Sequence, residues 1–77
     1  SMDSATIEQM IRAGMPEADD RVSGEDGTHF EAVVISAAFE GVPTNKRHRM
    51  VYATLGSKNG NEIHALGMKT ISPSEQV

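Results

Sequence analysis

Histidine occurs three times in this chain, at positions 29, 48 and 64, and cysteine does not occur at all. The lack of thiols excludes disulfides, a thiol nucleophile and any cysteine-only cluster or zinc site. It leaves neutral imidazole, a good ligand for iron and zinc, as the candidate metal donor. His29 and His64 each stand near the start of a stretch with strand character. On neighbouring strands, both rings would reach one edge of the sheet. The competing reading is a pair of ordinary, partly exposed strand histidines, and spacing alone leaves both open. His48 lies within Lys46-Arg47-His48-Arg49, and a ring among three cations is a poor site for another cation. Its four-residue step to Tyr52 predicts an intrahelical contact instead. Lys46, Arg47 and Arg49 form the one basic cluster of an acidic chain. They read either as a solvated helix face or as a docking patch for acidic surfaces, carboxylates or phosphates.

Other site chemistries find no support. The sequence contains no Gly-x-Ser-x-Gly, no phosphate-binding loop and no His-Glu-x-x-His. Gly24-Glu25-Asp26-Gly27 matches the G-x-x-G of RNA-binding KH domains letter for letter. That loop, however, joins two helices and lets phosphate approach backbone amides. Here it falls between strand stretches with two acids at its centre, so it reads as a hairpin turn, with Glu25, Asp26 and Glu31 as solvated carboxylates. No catalytic residue is assigned, and the expectation is a protein that is not an enzyme. Net charge is −4, from 7 basic and 11 acidic residues, which opposes binding driven by release of phosphate counterions. No apolar run reaches the roughly 20 residues of a membrane span, and the N-terminus lacks a basic stretch followed by an apolar one. Ser1 ahead of Met2 reads as a cloning remnant. A reducing, cytoplasmic location fits the composition.

The elements that must position these residues follow from periodicity and breakers. At 77 residues the chain makes one domain that buries only about 60% of its unfolded surface, so a shallow or partner-facing site is expected. Ile7, Met10 and Ile11 predict a helix from about Ser4 to Ala13, stopped by Gly14 and Pro16. Arg21 to Ser23 and Thr28 to Ser36 predict a hairpin around the Asp-Gly turn, with Phe30, Ala32 and Val34 on one face. Pro43 to Leu55 predicts a second helix with Pro43 as its first residue, turning Val51, Tyr52 and Leu55 toward the sheet. Glu62 to Lys69 predicts a last strand with His64, Leu66 and Met68 on one face. Ser72-Pro73-Ser74-Glu75 is a capping box that opens a final helix, either one turn long or cut short. The order αββαβ plus a short C-terminal helix predicts an α+β fold: a small three-stranded mixed sheet, its last strand parallel to a hairpin strand, with helices on one face.

Two segments resemble the BolA-like family. Phe39-Glu40-Gly41 through Arg47-His48, Val51-Tyr52 and Leu55 is similar to its F-x-G…R-H-x-x-V-Y-x-x-L signature. Ile63-His64-Ala65-Leu66, Lys69 and Ser72-Pro73 are similar to its I-H-A-[LV]-x-x-K-x-x-[ST]-P. Val22-Ser23-Gly24 to His29-Phe30 resembles the IbaG/YrbA-type branch. The resemblance runs from about Ile7 to Glu75. Val42 stands where a lysine is usual, Thr44-Asn45 where apolar residues are usual, and Gln76 where an aromatic residue is common.

The resemblance implies a class II KH-like fold. It also implies partnership with a monothiol glutaredoxin, in which a [2Fe–2S] cluster is shared and glutathione takes part, in iron–sulfur trafficking or iron sensing. The family's near-invariant histidine falls on His64, and a second, variable ligand falls near His29. Lys46, Arg47, Arg49, Tyr52 and Lys69 are the candidate partner- or nucleic-acid-binding residues. The alternative that the resemblance carries is a DNA-binding transcriptional regulator of stress responses using the Pro43–Leu55 helix, a reading that Val42 and the net charge weaken. The isolated chain is expected to be a monomer that binds no cluster alone.

Overall fold

The computed structural model describes residues 2–56 and 65–76. The first helix, α1 (Ser4–Gly14), begins where the Asp3 carboxylate accepts the Thr6 amide at 2.8 Å. This cap satisfies one of the donors that a helix start leaves orphaned. Ile7 and Ile11, one turn apart, are fully buried. Strand β1 (Asp19–Ser23) pairs antiparallel with β2 (His29–Ile35), Asp19 opposite Ile35 and Ser23 opposite Glu31. The second helix, α2 (Thr44–Leu55), carries the chain across to β3 (Ala65–Ile71), which runs parallel to β2 from His29–Ala65 to Ile35–Ile71. The sheet order is β1-β2-β3.

The period-two alternation of β2 decides which face carries the core. Phe30, Ala32 and Val34 are buried, while His29, Glu31 and Val33 are exposed. The buried set packs with Ile7, Ile11, Phe39, Val51, Leu55 and Leu66. Burying each of the larger side chains contributes about 1.5–3 kcal/mol. The α+β architecture with helices on one face of a three-stranded mixed sheet is as expected. Met2 is 6% exposed within this core, so it is part of the fold and not an appendage.

The boundaries differ where tertiary pairing outweighs local preference. β1 starts at Asp19, two residues before the expected Arg21, because Asp19 and Asp20 find partners in Ile35 and Val34 despite their poor strand propensity. β3 runs past Lys69 to Ile71; its expected beginning at Glu62 lies outside the described residues. Pro43 is not the first helical residue but the N-cap, and its carbonyl accepts the Lys46 and Arg47 amides. A 3₁₀ turn over Ala37–Phe39 follows β2, capped by Ser36 Oγ accepting the Ala38 amide at 3.0 Å. The C-terminal element is a single 3₁₀ turn, Pro73–Glu75.

Gly24 follows β1 at φ +154°, and a Cβ there would lie 2.5 Å from the His29 carbonyl and 2.7 Å from Phe30 Cδ1. The nearer obstacle is backbone and cannot swing away. Gly24→Ala is expected to cost about 1–3 kcal/mol, which thermal melting by circular dichroism would show as a fall of roughly 4–8 °C per kcal/mol. An unchanged melt would contradict the close approach.

Candidate functional site

His29 opens β2, and its position is fixed by the turn that precedes it. Asp26 Oδ1 accepts the backbone amides of Thr28 at 2.9 Å and of His29 at 2.8 Å. This is the self-capping an aspartate performs in a tight turn. The second oxygen, Oδ2, stands 2.7 Å from His29 Nδ1, and Thr28 Oγ1 is 3.0 Å from the same nitrogen. The amides of His29 and Thr28 and the His29 ring hold the Asp26 carboxyl far below the usual range, so it is an acceptor only. The His29 side chain is 72% exposed. Across the sheet, Ala65 is in register with His29, and its amide donates to the Thr28 carbonyl at 3.2 Å. The other expected ligand, His64, precedes Ala65 in sequence and lies outside the described residues.

Among the described residues, no three of His, Asp or Glu stand close enough to hold a metal ion. The chain has no thiolate. Among the described residues, the His29 imidazole is a donor that could be contributed to a metal group completed by other ligands.

The basic cluster divides. Lys46 and Arg49 are exposed on α2, as a docking surface requires. Arg47 is not available for docking: it is 7% exposed and faces inward. Its Nε donates to the Val42 carbonyl at 2.6 Å, and its terminal nitrogens donate to the Thr70 carbonyl at 3.2 Å and to the Glu75 carboxylate at 2.6 and 3.1 Å. The guanidinium also lies 5.6 Å from the centroid of the Phe39 ring, within cation–π range. Glu75 further accepts the Ser72 amide at 2.9 Å, the reach-back of the capping box. Arg47 thus ties α2, the end of β3 and the C-terminal turn together, a role that the run of like charges around it conceals.

Tyr52 is half-buried, and its hydroxyl donates to the Leu66 carbonyl at 3.1 Å. With the Arg47–Thr70 bond, it satisfies carbonyls along β3 from α2. Lys69 is exposed on the open face of the sheet, in register with Val33, which is in turn opposite Arg21. That face therefore carries Arg21 and Lys69 on either side of Val33, with the carboxylates of Asp19 and Glu31 beside them. The cleft beside Glu8, Arg12 and Arg21 lies along β1 and does not include His29.

One titratable group near that cleft carries no mark in the sequence. Asp20 is 3% exposed; one oxygen accepts from Arg12 at 3.1 Å, and the other is buried without a partner. Desolvation raises its pKa above 3.8, outweighing the Arg12 attraction. The folded chain therefore keeps this proton to higher pH than the unfolded chain does. Ionised Asp20 works against folding near neutrality, and that penalty is relieved as pH falls through its folded pKa. Asp20→Asn has no such term. Urea melts of both proteins at several pH values are expected to show the wild type gaining on Asp20→Asn as pH falls toward the ordinary aspartate range. A pH-independent difference would contradict the burial.

The chain is similar to known proteins in sequence and in fold. A family model described as BolA-like protein matches residues 7–75. Human BolA-like protein 1 is 40% identical over 48 residues, covering 62% of this chain but 35% of that protein, so the chain spans about a third of that relative's length. The structure of a bolA protein homologue from Coxiella burnetii matches with a TM-score of 0.86 and 43% identity, covering 97% of this chain and 96% of the other. The BolA domain of SufE1 from Arabidopsis thaliana matches with a TM-score of 0.78 and 26% identity, covering 94% and 93%.

Proposed function

Because the chain belongs to the BolA-like family, we propose that it is a non-enzymatic adaptor that pairs with a monothiol glutaredoxin and supplies imidazole ligands to a [2Fe–2S] cluster held between the two proteins. BolA-like proteins are generally regulators or adaptors without catalysis of their own, and a BolA domain within SufE1 accords with an iron–sulfur-related role. The observation that carries the reading is His29: an exposed ring at a sheet corner, tied through Nδ1 to Asp26 and set beside the start of β3, the strand that follows His64 in sequence. His64 is the principal ligand in this reading and His29 the second. The partner's cysteine and glutathione complete the other iron. Histidine ligation in place of cysteine raises the potential of the cluster. Lys69 on the open sheet face, and Lys46 and Arg49 on α2 in the helix layer, supply exposed positive charge for an acidic partner face or for glutathione carboxylates, whereas Arg47 and Tyr52 tie α2 to β3.

The test is anaerobic assembly with a monothiol glutaredoxin, glutathione, iron and sulfide, followed by visible absorption and circular dichroism. A spectrum distinct from that of the glutaredoxin alone supports the shared site; an identical spectrum sinks it. The regulator reading is tested alongside by titrating DNA binding against salt, because real phosphate contacts weaken steeply as salt rises. Salt-steep DNA binding without a shared cluster would put that reading first.

A further inference from the structure

The hairpin turn before His29 does more than reverse the chain. A carboxylate has no proton to offer at Asp26 Oδ2, so the 2.7 Å contact with His29 Nδ1 requires the hydrogen to sit on that nitrogen. In the neutral ring, one nitrogen carries the hydrogen and the other is a bare lone pair. The bare nitrogen is then Nε2, on the far side of the ring from Asp26, in a side chain that is 72% exposed. Asp26 is itself immobilised, because its other oxygen receives the Thr28 and His29 amides at 2.9 and 2.8 Å. One carboxylate therefore fixes the backbone on which the histidine stands, the ring's tautomer and the ring's orientation. A hydrogen-bonded carboxylate behind a ligating imidazole is the outer-shell arrangement that sets ligand geometry and basicity at metal sites.

We infer that Asp26 is a positioning residue for metal binding: it holds His29 in the Nδ1–H form and presents Nε2 as the metal-binding atom. This rests on the shared-cluster reading for the identity of the metal group, but not for the tautomer. Asp26→Asn isolates the effect. Its amide oxygen keeps receiving the two backbone amides, so the turn persists. The oxygen facing Nδ1 becomes an NH₂ donor, which favours a bare Nδ1 and moves the hydrogen to Nε2.

The experiment has two readouts. Long-range proton–nitrogen NMR of the chain alone assigns the tautomer. The expected result is a protonated Nδ1 and a bare Nε2 in the wild type, with the two nitrogen shifts exchanged in Asp26→Asn. Titration with a monothiol glutaredoxin carrying a cluster is expected to show affinity for the shared state lowered by about 10–100-fold in Asp26→Asn. A wild-type ring protonated at Nε2, or an Asp26→Asn spectrum with the wild-type tautomer, overturns the inference whatever the cluster does. An exchanged tautomer with unchanged cluster affinity removes its role in metal binding. If the wild type forms no shared cluster, the functional reading fails and takes the metal-binding role with it, while the NMR result separately decides the tautomer.

Discussion

Arg47→Ala is expected to lower the melting temperature by on the order of 10–20 °C, far more than removal of either exposed cation beside it. The side chain satisfies the Val42 and Thr70 carbonyls, clamps Glu75 through two nitrogens and covers Phe39. Alanine would leave both carbonyls without this donor and would free the C-terminal turn. A bidentate fork cannot be replaced by a point charge, so Arg47→Lys should recover only part of the loss. Lys46→Ala should stay within about 0.5 kcal/mol of wild type, as surface changes usually do. The clamp also predicts a pH signature. Hydrogen bonding from Arg47 and from the Ser72 amide lowers the Glu75 pKa from 4.5 to about 2. A depressed folded pKa gives stability that is fully present above 4.5 and is lost as pH falls toward 2. Acid melts of Arg47→Ala should therefore be flatter over that window than those of the wild type. Equal slopes would mean that the pair contributes nothing.

His64→Ala is expected to have the largest functional effect: loss of the shared cluster spectrum with the fold intact. On the proposed reading, the substitution removes the principal iron ligand offered by a chain that contains no cysteine to replace it. His29→Ala should leave a weaker cluster with an altered spectrum, because the second position then falls to solvent or glutathione. Circular dichroism in the far ultraviolet is the control, and His29 itself, largely exposed, contributes little to packing.

The parts of the molecule legible in the sequence are those governed by short-range pattern. The alternation of Phe30, Ala32 and Val34 and the pairing of Ile7 with Ile11 pick out the buried faces without reference to the rest of the chain. The Asp-Gly turn and the capping box likewise act within a few residues. What is not legible depends on partners far apart in sequence. Arg47 and Glu75 meet across 28 positions, and nothing in Lys46-Arg47-His48-Arg49 marks the one cation that turns inward. Phe39 and Gly41 stand out in the sequence only as letters of a family motif. The structure supplies a reason for each: Phe39 is fully buried beneath Arg47, and Gly41 takes φ +71°, a conformation costly for other residues. Asp20 looks like half of an exposed acidic pair, yet the strand's alternation turns it to the core side, where Arg12 meets it. Asp26 looks like a solvated turn acid. Its grip on His29 follows from turn geometry that the dipeptide Asp-Gly implies but does not specify.

Whether two different proteins share one cluster is decided by native mass spectrometry of the anaerobically assembled mixture. The expected species contains one copy of this chain, one glutaredoxin, two irons, two sulfides and glutathione, and it disappears in His64→Ala. A glutaredoxin species that keeps the cluster to itself, with this chain free in solution, would overturn the shared site.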